Sequence, residues 1–247
     1  MNFSGPLTVT GGQVYSESSS ALYTPGVEGL TRDGGRFRYV KAGVSALVSG
    51  QVLQGPAQVA AHQGLVVVAS GTPPVFPAIG DIKVVVTNGA TPVAVGAYVG
   101  GYAIISAGPG VGGRYQIVKH DAALAAAPLT LTLAGDDALV VALTTASRVS
   151  LQASPYVGVI QAPATTLTGA PVGVAVAALS GGSYGWAQVG GVGGVLVAGT
   201  PAVGAQVASP SGVAGSAAIS AAGLSNIGTI LVTGVAGQTQ AVLLDLP

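Results

Sequence analysis

Short runs of valine and isoleucine, each ended by glycine or proline, recur along most of this chain of 247 residues. Small or polar residues alternate with the aliphatic ones, which is typical of half-buried strands, and turn residues separate the runs. The runs are residues 64–69, 82–87, 102–106, 115–119, 129–133, 139–143, 172–179, 184–189, 194–197, 229–232 and 240–246. Strand-sized segments at a spacing of roughly 8–12 residues predict an all-β fold of barrel-like or sandwich-like modules with little helix.

The chain has very little charge for its length. Charged residues make up 6% of it, whereas an ordinary soluble domain has roughly 25%. Hydrophobic residues make up 49%, and most of them are the small residues alanine and valine beside 40 glycines. A fully exposed surface of this composition would be poorly soluble, so we expect further copies of the chain or a larger partner to cover much of it.

The same composition argues against several classes of protein. No stretch reaches the roughly 18–20 uninterrupted apolar residues of a membrane-spanning helix. The net charge is zero, so no long-range field attracts nucleic acid or an anionic membrane, and we expect neither partner. Cysteine is absent, which excludes disulfides and fits synthesis in the cytoplasm, and residues 1–10 lack the basic and apolar regions of a signal peptide.

Composition divides the chain into three predicted regions: an extended N-terminal arm with an arginine-rich hairpin (1–50), a β-rich module (51–153) and a Gly/Val/Ala-rich, barrel-like C-terminal module (154–247). Residues 1–30 are polar and rich in serine and glycine, so we expect an arm that becomes ordered only against a partner. After Arg148 the only charged side chain is that of Asp245, which supports a separate module beyond Ser154-Pro155.

Residues suited to catalysis are few. His120-Asp121 follows the predicted strand 115–119 and could form an acid–base or metal pair, although a polar strand end is the favoured interpretation. Asp136-Asp137 follows Ala-Gly and is typical of a turn. The glycine run 108–113 lacks the Gly-Lys-Ser/Thr ending of a phosphate-binding loop. We therefore predict no catalytic residue, no metal and no cofactor, and hence a protein that is not an enzyme.

The most charged segment is a predicted hairpin with its turn at Asp33-Gly34-Gly35. Arginines and aromatic residues then alternate, so Phe37 and Tyr39 share one face of the strand. One interpretation is a docking strand, in which the cations pair with carboxylates of a partner and the aromatic rings anchor it. The other is an ordinary amphipathic edge strand that its arginines keep soluble. The candidate docking residues are Arg32, Arg36, Phe37, Arg38, Tyr39 and Lys41.

A second aromatic motif contains the single tryptophan of the chain. Tyr184, Trp186 and Gln188 alternate with smaller residues and therefore share one face of a predicted strand. Tyr184 and Trp186 are candidate anchors of either the core or an interface. A platform for carbohydrate is a further alternative, although it would ordinarily need more than one exposed ring.

Three segments resemble tailed-bacteriophage virion structural proteins of the capsid decoration (cement) type. They are Asp33-Gly34-Gly35-Arg36-Phe37-Arg38-Tyr39-Val40-Lys41-Ala42-Gly43, then Val172-Gly173-Val174-Ala175-Val176-Ala177-Ala178 running into Tyr184-Gly185-Trp186-Ala187-Gln188-Val189, and the closing segments Ile227-Gly228-Thr229-Ile230-Leu231 and Ala241-Val242-Leu243-Leu244-Asp245-Leu246. The motifs are structural rather than catalytic, so the resemblance supplies no active-site residue.

The resemblance implies a β-rich protein that is made in the cytoplasm of the host bacterium and added to the outer surface of the phage head. Its partners would be the major capsid protein and further copies of itself, with a trimer favoured over a dimer. Its role would be to stabilise the shell. The alternative is another virion component, a tail or head-fibre protein that binds host glycans.

Overall fold

The structure is a computed structural model that describes residues 6–246. Its elements are β1 (Leu7–Thr8), α1 (Gly11–Val14), β2 (Glu28–Leu30), β3 (Arg36–Ala42), β4 (Val52–Gln54), a 3-10 turn (Ala60–His62), β5 (Leu65–Val66), β6 (Lys83–Thr87), β7 (Tyr102–Ala107), β8 (Arg114–His120), β9 (Pro128–Leu133), β10 (Arg148–Gln152), β11 (Val157–Gln161), β12 (Pro171–Ala175), β13 (Tyr184–Leu196), β14 (Gln206–Ser209), β15 (Ala218–Ile219), β16 (Ser225–Ile230) and β17 (Thr239–Asp245). The all-β, barrel-like fold with an N-terminal arm and little helix is therefore confirmed.

The chain divides into two compact units, and the division differs from the predicted one. Unit 1 combines the chain up to Ala57 with the chain from Pro155, and unit 2 is the continuous segment Gln58–Ser154. Residues 1–50 do not form a region of their own, because β3 and β4 pair with β11, β12 and β13 of the C-terminal part. Composition does not reveal such pairing, since the backbone groups that make it are the same in every residue.

Five strands of unit 1 close into a small barrel. They follow the order β3-β11-β4-β12-β13, and a second edge of β13 returns to β3. β11 runs parallel to β3, while the other pairings in this ring are antiparallel. The barrel core is small and aliphatic, and its members are Val40, Ala42, Leu47, Leu53, Val159, Val172, Ala175, Leu179 and Ala187.

The long strand β13 continues beyond this barrel into a second group of strands. Its C-terminal half pairs with β17, which is followed by β16, β14 and β15. A parallel bridge from Val197 to Ala217 then brings the far side of this group back to the end of β13. The enclosed core includes Val195, Val207 and Ile227, all of them fully buried. One strand thus belongs to both cores of unit 1.

Two glycines mark the point where β13 changes partner. Gly190 is in register with both Arg36 of β3 and Asp245 of β17, and Gly191 has a φ of 81°. A side chain at Gly191 would lie 3.2 Å from the oxygen of Gly34 and the Cα of Gly35. Left-handed backbone and close approach to another chain segment both favour glycine here.

We predict that Gly191→Ala destabilises unit 1 more than Gly34→Ala does. Both positions have positive φ, so each substitution costs roughly 1–2 kcal/mol in backbone strain. Only Gly191 adds steric crowding, because nothing lies near the Cβ position at Gly34. Urea unfolding followed by the fluorescence of Trp186, which lies in unit 1, measures the difference. Equal unfolding midpoints for the two variants would contradict this account.

Unit 2 is a six-stranded antiparallel barrel. Its strands follow the order β5-β10-β7-β8-β9-β6, and a bridge between Val67 and Val86 brings β5 beside β6, so the ring almost closes. Its core is larger than those of unit 1 and includes Ile105, Ile117 and Leu131. Residues 139–143, which the sequence analysis predicted as a strand, form instead part of the loop between β9 and β10. That loop forms the first of the surfaces described next.

Candidate docking surfaces

The loops at one end of the unit 2 barrel expose a set of aliphatic side chains that we call the apolar cap. Val75, Ile79 and Val140 have exposed fractions of 60%, 70% and 72%. The members of the apolar cap are Val75, Ile79, Ile82, Val140 and Val141. The charged residues near them in the sequence are Asp81 and Lys83 on one loop and Asp136 and Asp137 on the other. Exposed aliphatic residues on two hydrogen-bonded loops form a candidate surface for binding another protein.

Backbone hydrogen bonds hold the two loops of the apolar cap together. The N–H of Gly80 donates to the oxygen of Leu139 at 2.8 Å, and the N–H of Leu139 donates to Asp81 at 3.0 Å. Leu139 and Leu143 are buried in the barrel core, so they fix the loop and leave Val140 and Val141 between them on the outside. The sequence pattern did not indicate this surface, because the run 139–143 resembles a strand. The nearby Asp136-Asp137 pair lies in a turn, as its sequence indicated.

In unit 1, the described part of the predicted arm packs against its own barrel. β1 runs parallel to β2, and α1 begins with a capping box between Thr10 and Gln13. Val9 and Val14 are buried in one cluster with Phe37, Tyr39 and Trp186. The expectation that this arm becomes ordered only against a partner is therefore corrected for residues 6–30. Residues 1–5 lie outside the described residues.

Four aromatic rings join the arm to β3 and β13. Tyr39 lies 5.3 Å from Tyr23, 5.1 Å from Trp186 and 6.0 Å from Tyr184, measured between ring centroids. The backbone N–H of Leu22 also donates to the hydroxyl of Tyr39 at 3.1 Å. Burial raises the pKa of Tyr39 above its ordinary value. Trp186 is 3% exposed and is a core residue of unit 1, so it offers no open face to a sugar ring.

Two of the candidate docking arginines have partners within unit 1. The Nη1 of Arg38 donates to the backbone oxygen of Gly26 at 3.2 Å and lies 3.8 Å from the carboxylate of Glu28. The Nη2 of Arg36 donates to the oxygen of Leu246 at 3.4 Å. These contacts join the arm and the C-terminal strand to β3. Phe37 and Tyr39 of the same set are buried, so the described arm covers them.

The remaining docking candidates have accessible charges. Arg32 is exposed at the tip of the hairpin. The Nζ of Lys41 lies 5.4 Å from the centroid of the half-buried Tyr184 ring, a cation–π geometry. The structure thus divides the predicted docking set: Arg32, Arg36 and Lys41 face solvent at least in part, the Arg38 side chain is 25% exposed, and Phe37 and Tyr39 are buried in unit 1.

We predict that Tyr23→Ala loosens the arm whereas Leu22→Ala does not. The Tyr23 ring contacts Tyr39 and Trp186, and aromatic pairs of this kind contribute about 0.5–1.5 kcal/mol each beyond buried area. Leu22 is 63% exposed and serves as the matched control. A red-shifted Trp186 emission and a lower unfolding midpoint should appear for Tyr23→Ala alone. Unchanged emission in both variants would show that the arm does not protect Trp186.

Both histidines of the chain lie in unit 2 and hold one loop. The N–H of Tyr98 donates to Nε2 of His120 at 2.9 Å, and Nδ1 of His120 donates to the oxygen of Asp121. His62 donates from Nε2 to the oxygen of Thr91, so its Nδ1 accepts the hydroxyl proton of Tyr98. Both rings are buried. His120 therefore orders loop 88–100 through backbone contacts rather than forming an acid–base pair with the Asp121 carboxylate.

We predict that Tyr98→Phe loosens loop 88–100. The substitution leaves the buried Nδ1 of His62 without its donor, which costs about 1–3 kcal/mol. Tyr102→Phe is the matched control, because no described residue hydrogen-bonds the Tyr102 hydroxyl. Hydrogen–deuterium exchange of peptides covering residues 88–100 should accelerate in Tyr98→Phe alone. Equal exchange in the two variants would assign the loop's order to packing.

No helix among residues 6–246 has the length and apolarity that crossing a membrane requires. Comparison of the chain with protein-family models, with curated proteins and with solved structures found no match in any of the three. The surfaces of the two units are therefore the structural basis for proposing a function.

Proposed function

We propose that this protein is a structural decoration (cement) protein that binds the outer surface of a phage head and stabilises the shell. The observation that carries the proposal is the apolar cap of unit 2, a rigid group of exposed aliphatic residues on a chain with 6% charged residues. The resemblance of three segments to capsid decoration proteins supplies the identity of the partner.

The physical basis is the burial of aliphatic side chains at a surface with few charged groups to desolvate. Burying a valine or isoleucine side chain stabilises a complex by roughly 1.5–3 kcal/mol, and few charges around the apolar cap would have to lose water. Leu139 and Leu143 hold the loop in place, so binding would cost little conformational entropy. Many copies on one shell would then convert a modest contact into a strong attachment.

Further exposed aliphatic residues support association between copies of the chain. In unit 1, Val203, Leu231, Val232 and Val235 are exposed on loops that hydrogen bonds join, among them Gly204 to Ile230 and Gly234 to Pro201. A homo-oligomer, with a trimer favoured over a dimer, would cover surfaces of this kind. Sedimentation of the purified protein tests this part of the proposal separately from shell binding.

We predict that Val140→Asp weakens binding to purified phage shells by about tenfold or more, because the carboxylate would lose its water on docking. Val95→Asp is the matched control: Val95 is 71% exposed in unit 2 and lies on the loop between β6 and β7, at the opposite end of the barrel from the apolar cap. Co-sedimentation with shells that lack the decoration protein measures both variants. Equal binding of Val140→Asp and wild type would remove the apolar cap from the proposal.

A further inference from the structure

A cleft of about 600 Å³ opens in unit 1 between the arm and the tip of the hairpin. One wall is formed by β1 and α1, the other by the turn before β3, and the floor by β13. Its lining includes Tyr15, Thr31, Arg32, Asp33, Gln188 and Val192. The volume falls in the range of roughly 300–1,000 Å³ that small-molecule sites occupy. The proposed shell binding makes no use of this cleft.

The hydrogen bonding of Gln188 indicates that a ligand of this cleft would carry hydroxyl groups. Its side chain is 6% exposed, and Nε2 donates to the oxygens of Gly190 at 3.1 Å and Val192 at 3.0 Å. Those two bonds fix the amide plane, and no described residue donates to Oε1. A Cβ at Gly193 would lie 2.7 Å from this oxygen, so glycine at that position allows the amide to pack close to the strand. A fixed acceptor without a protein donor is suited to an O–H group of a ligand.

The other lining residues define the rest of the ligand. Tyr15 and Val192 are 66% and 62% exposed, and they provide an aromatic ring and an aliphatic side chain. Arg32 and Asp33 carry opposite charges, so they contribute no net charge to the cleft. Hydrogen bonding from the Thr31 hydroxyl, and then from backbone N–H groups, lowers the pKa of Asp33, which leaves a carboxylate acceptor at the rim.

We propose that this cleft binds a neutral saccharide. Its C–H face would stack on the ring of Tyr15, and its hydroxyl groups would donate to Gln188 Oε1 and to Asp33. Sugars combine an apolar face with several hydroxyl groups, which matches a cleft lined by both an exposed aromatic ring and a fixed amide. The site is distinct from the Tyr184–Trp186 pair, for which a carbohydrate platform was only an alternative interpretation, and Trp186 of that pair is buried.

Saturation-transfer NMR of the full chain with lactose, maltose, cellobiose and chitobiose tests the proposal, and calorimetry gives affinities for those that bind. Tyr15→Ala should weaken binding by about tenfold, the loss expected for one aromatic stacking contact, while Tyr15→Phe should retain it. Leu22→Ala, which alters an exposed arm residue outside the lining of the cleft, should bind as wild type does.

Trp186 emission verifies that each variant is folded before binding is measured. Absence of binding by all four sugars overturns the proposal, and so does binding that Tyr15→Ala leaves unchanged. The outcome is separable from the shell-binding assay, because Val140→Asp lies in unit 2 and leaves the cleft residues intact.

Discussion

The antiparallel pairing of β3 with β13 is the interaction on which the rest of unit 1 depends. It closes the five-stranded barrel, and it joins the two parts of the chain that unit 2 separates. The two faces of this strand pair contact different parts of unit 1. Val40 and Ala187 face the barrel core, whereas Tyr39 and Trp186 form the surface on which the arm lies. A change that separated these strands would therefore open the barrel and release the arm together.

Small residues make this arrangement possible and also explain the surface. Gly29 leaves room for the Trp186 ring, since a Cβ there would lie 2.8 Å from it, and Gly185 allows Leu179 to approach β13 closely. The two aliphatic cores of unit 1 are built mainly of valine and alanine and enclose little volume, so a larger share of its aliphatic side chains remains outside. With few charges among them, association with another protein would cover these residues, which connects the composition to the proposed role in an assembly.

The candidate sites show where residue patterns predict well and where they do not. Alternation correctly placed Phe37 and Tyr39 together, because alternate side chains on a strand point to the same face, and both lie in the cluster that the arm covers. It could not tell whether the arm of the same chain or another protein would cover those rings. The apolar cap and the cleft were not predicted, since each combines loops or strands that are distant in the sequence, such as residues 79–82 with 139–141.

The sequence by itself determined the all-β class, the abundance of turns and the scarcity of charge, since these follow from residue types and their local spacing. The tertiary structure alone decided that residues 1–50 join the C-terminal part, that Trp186 is covered, and that Val140 and Val141 face outward. The physical reason is that strand pairing uses backbone groups common to all residues. Which strands meet therefore depends on packing across the whole chain rather than on any one segment.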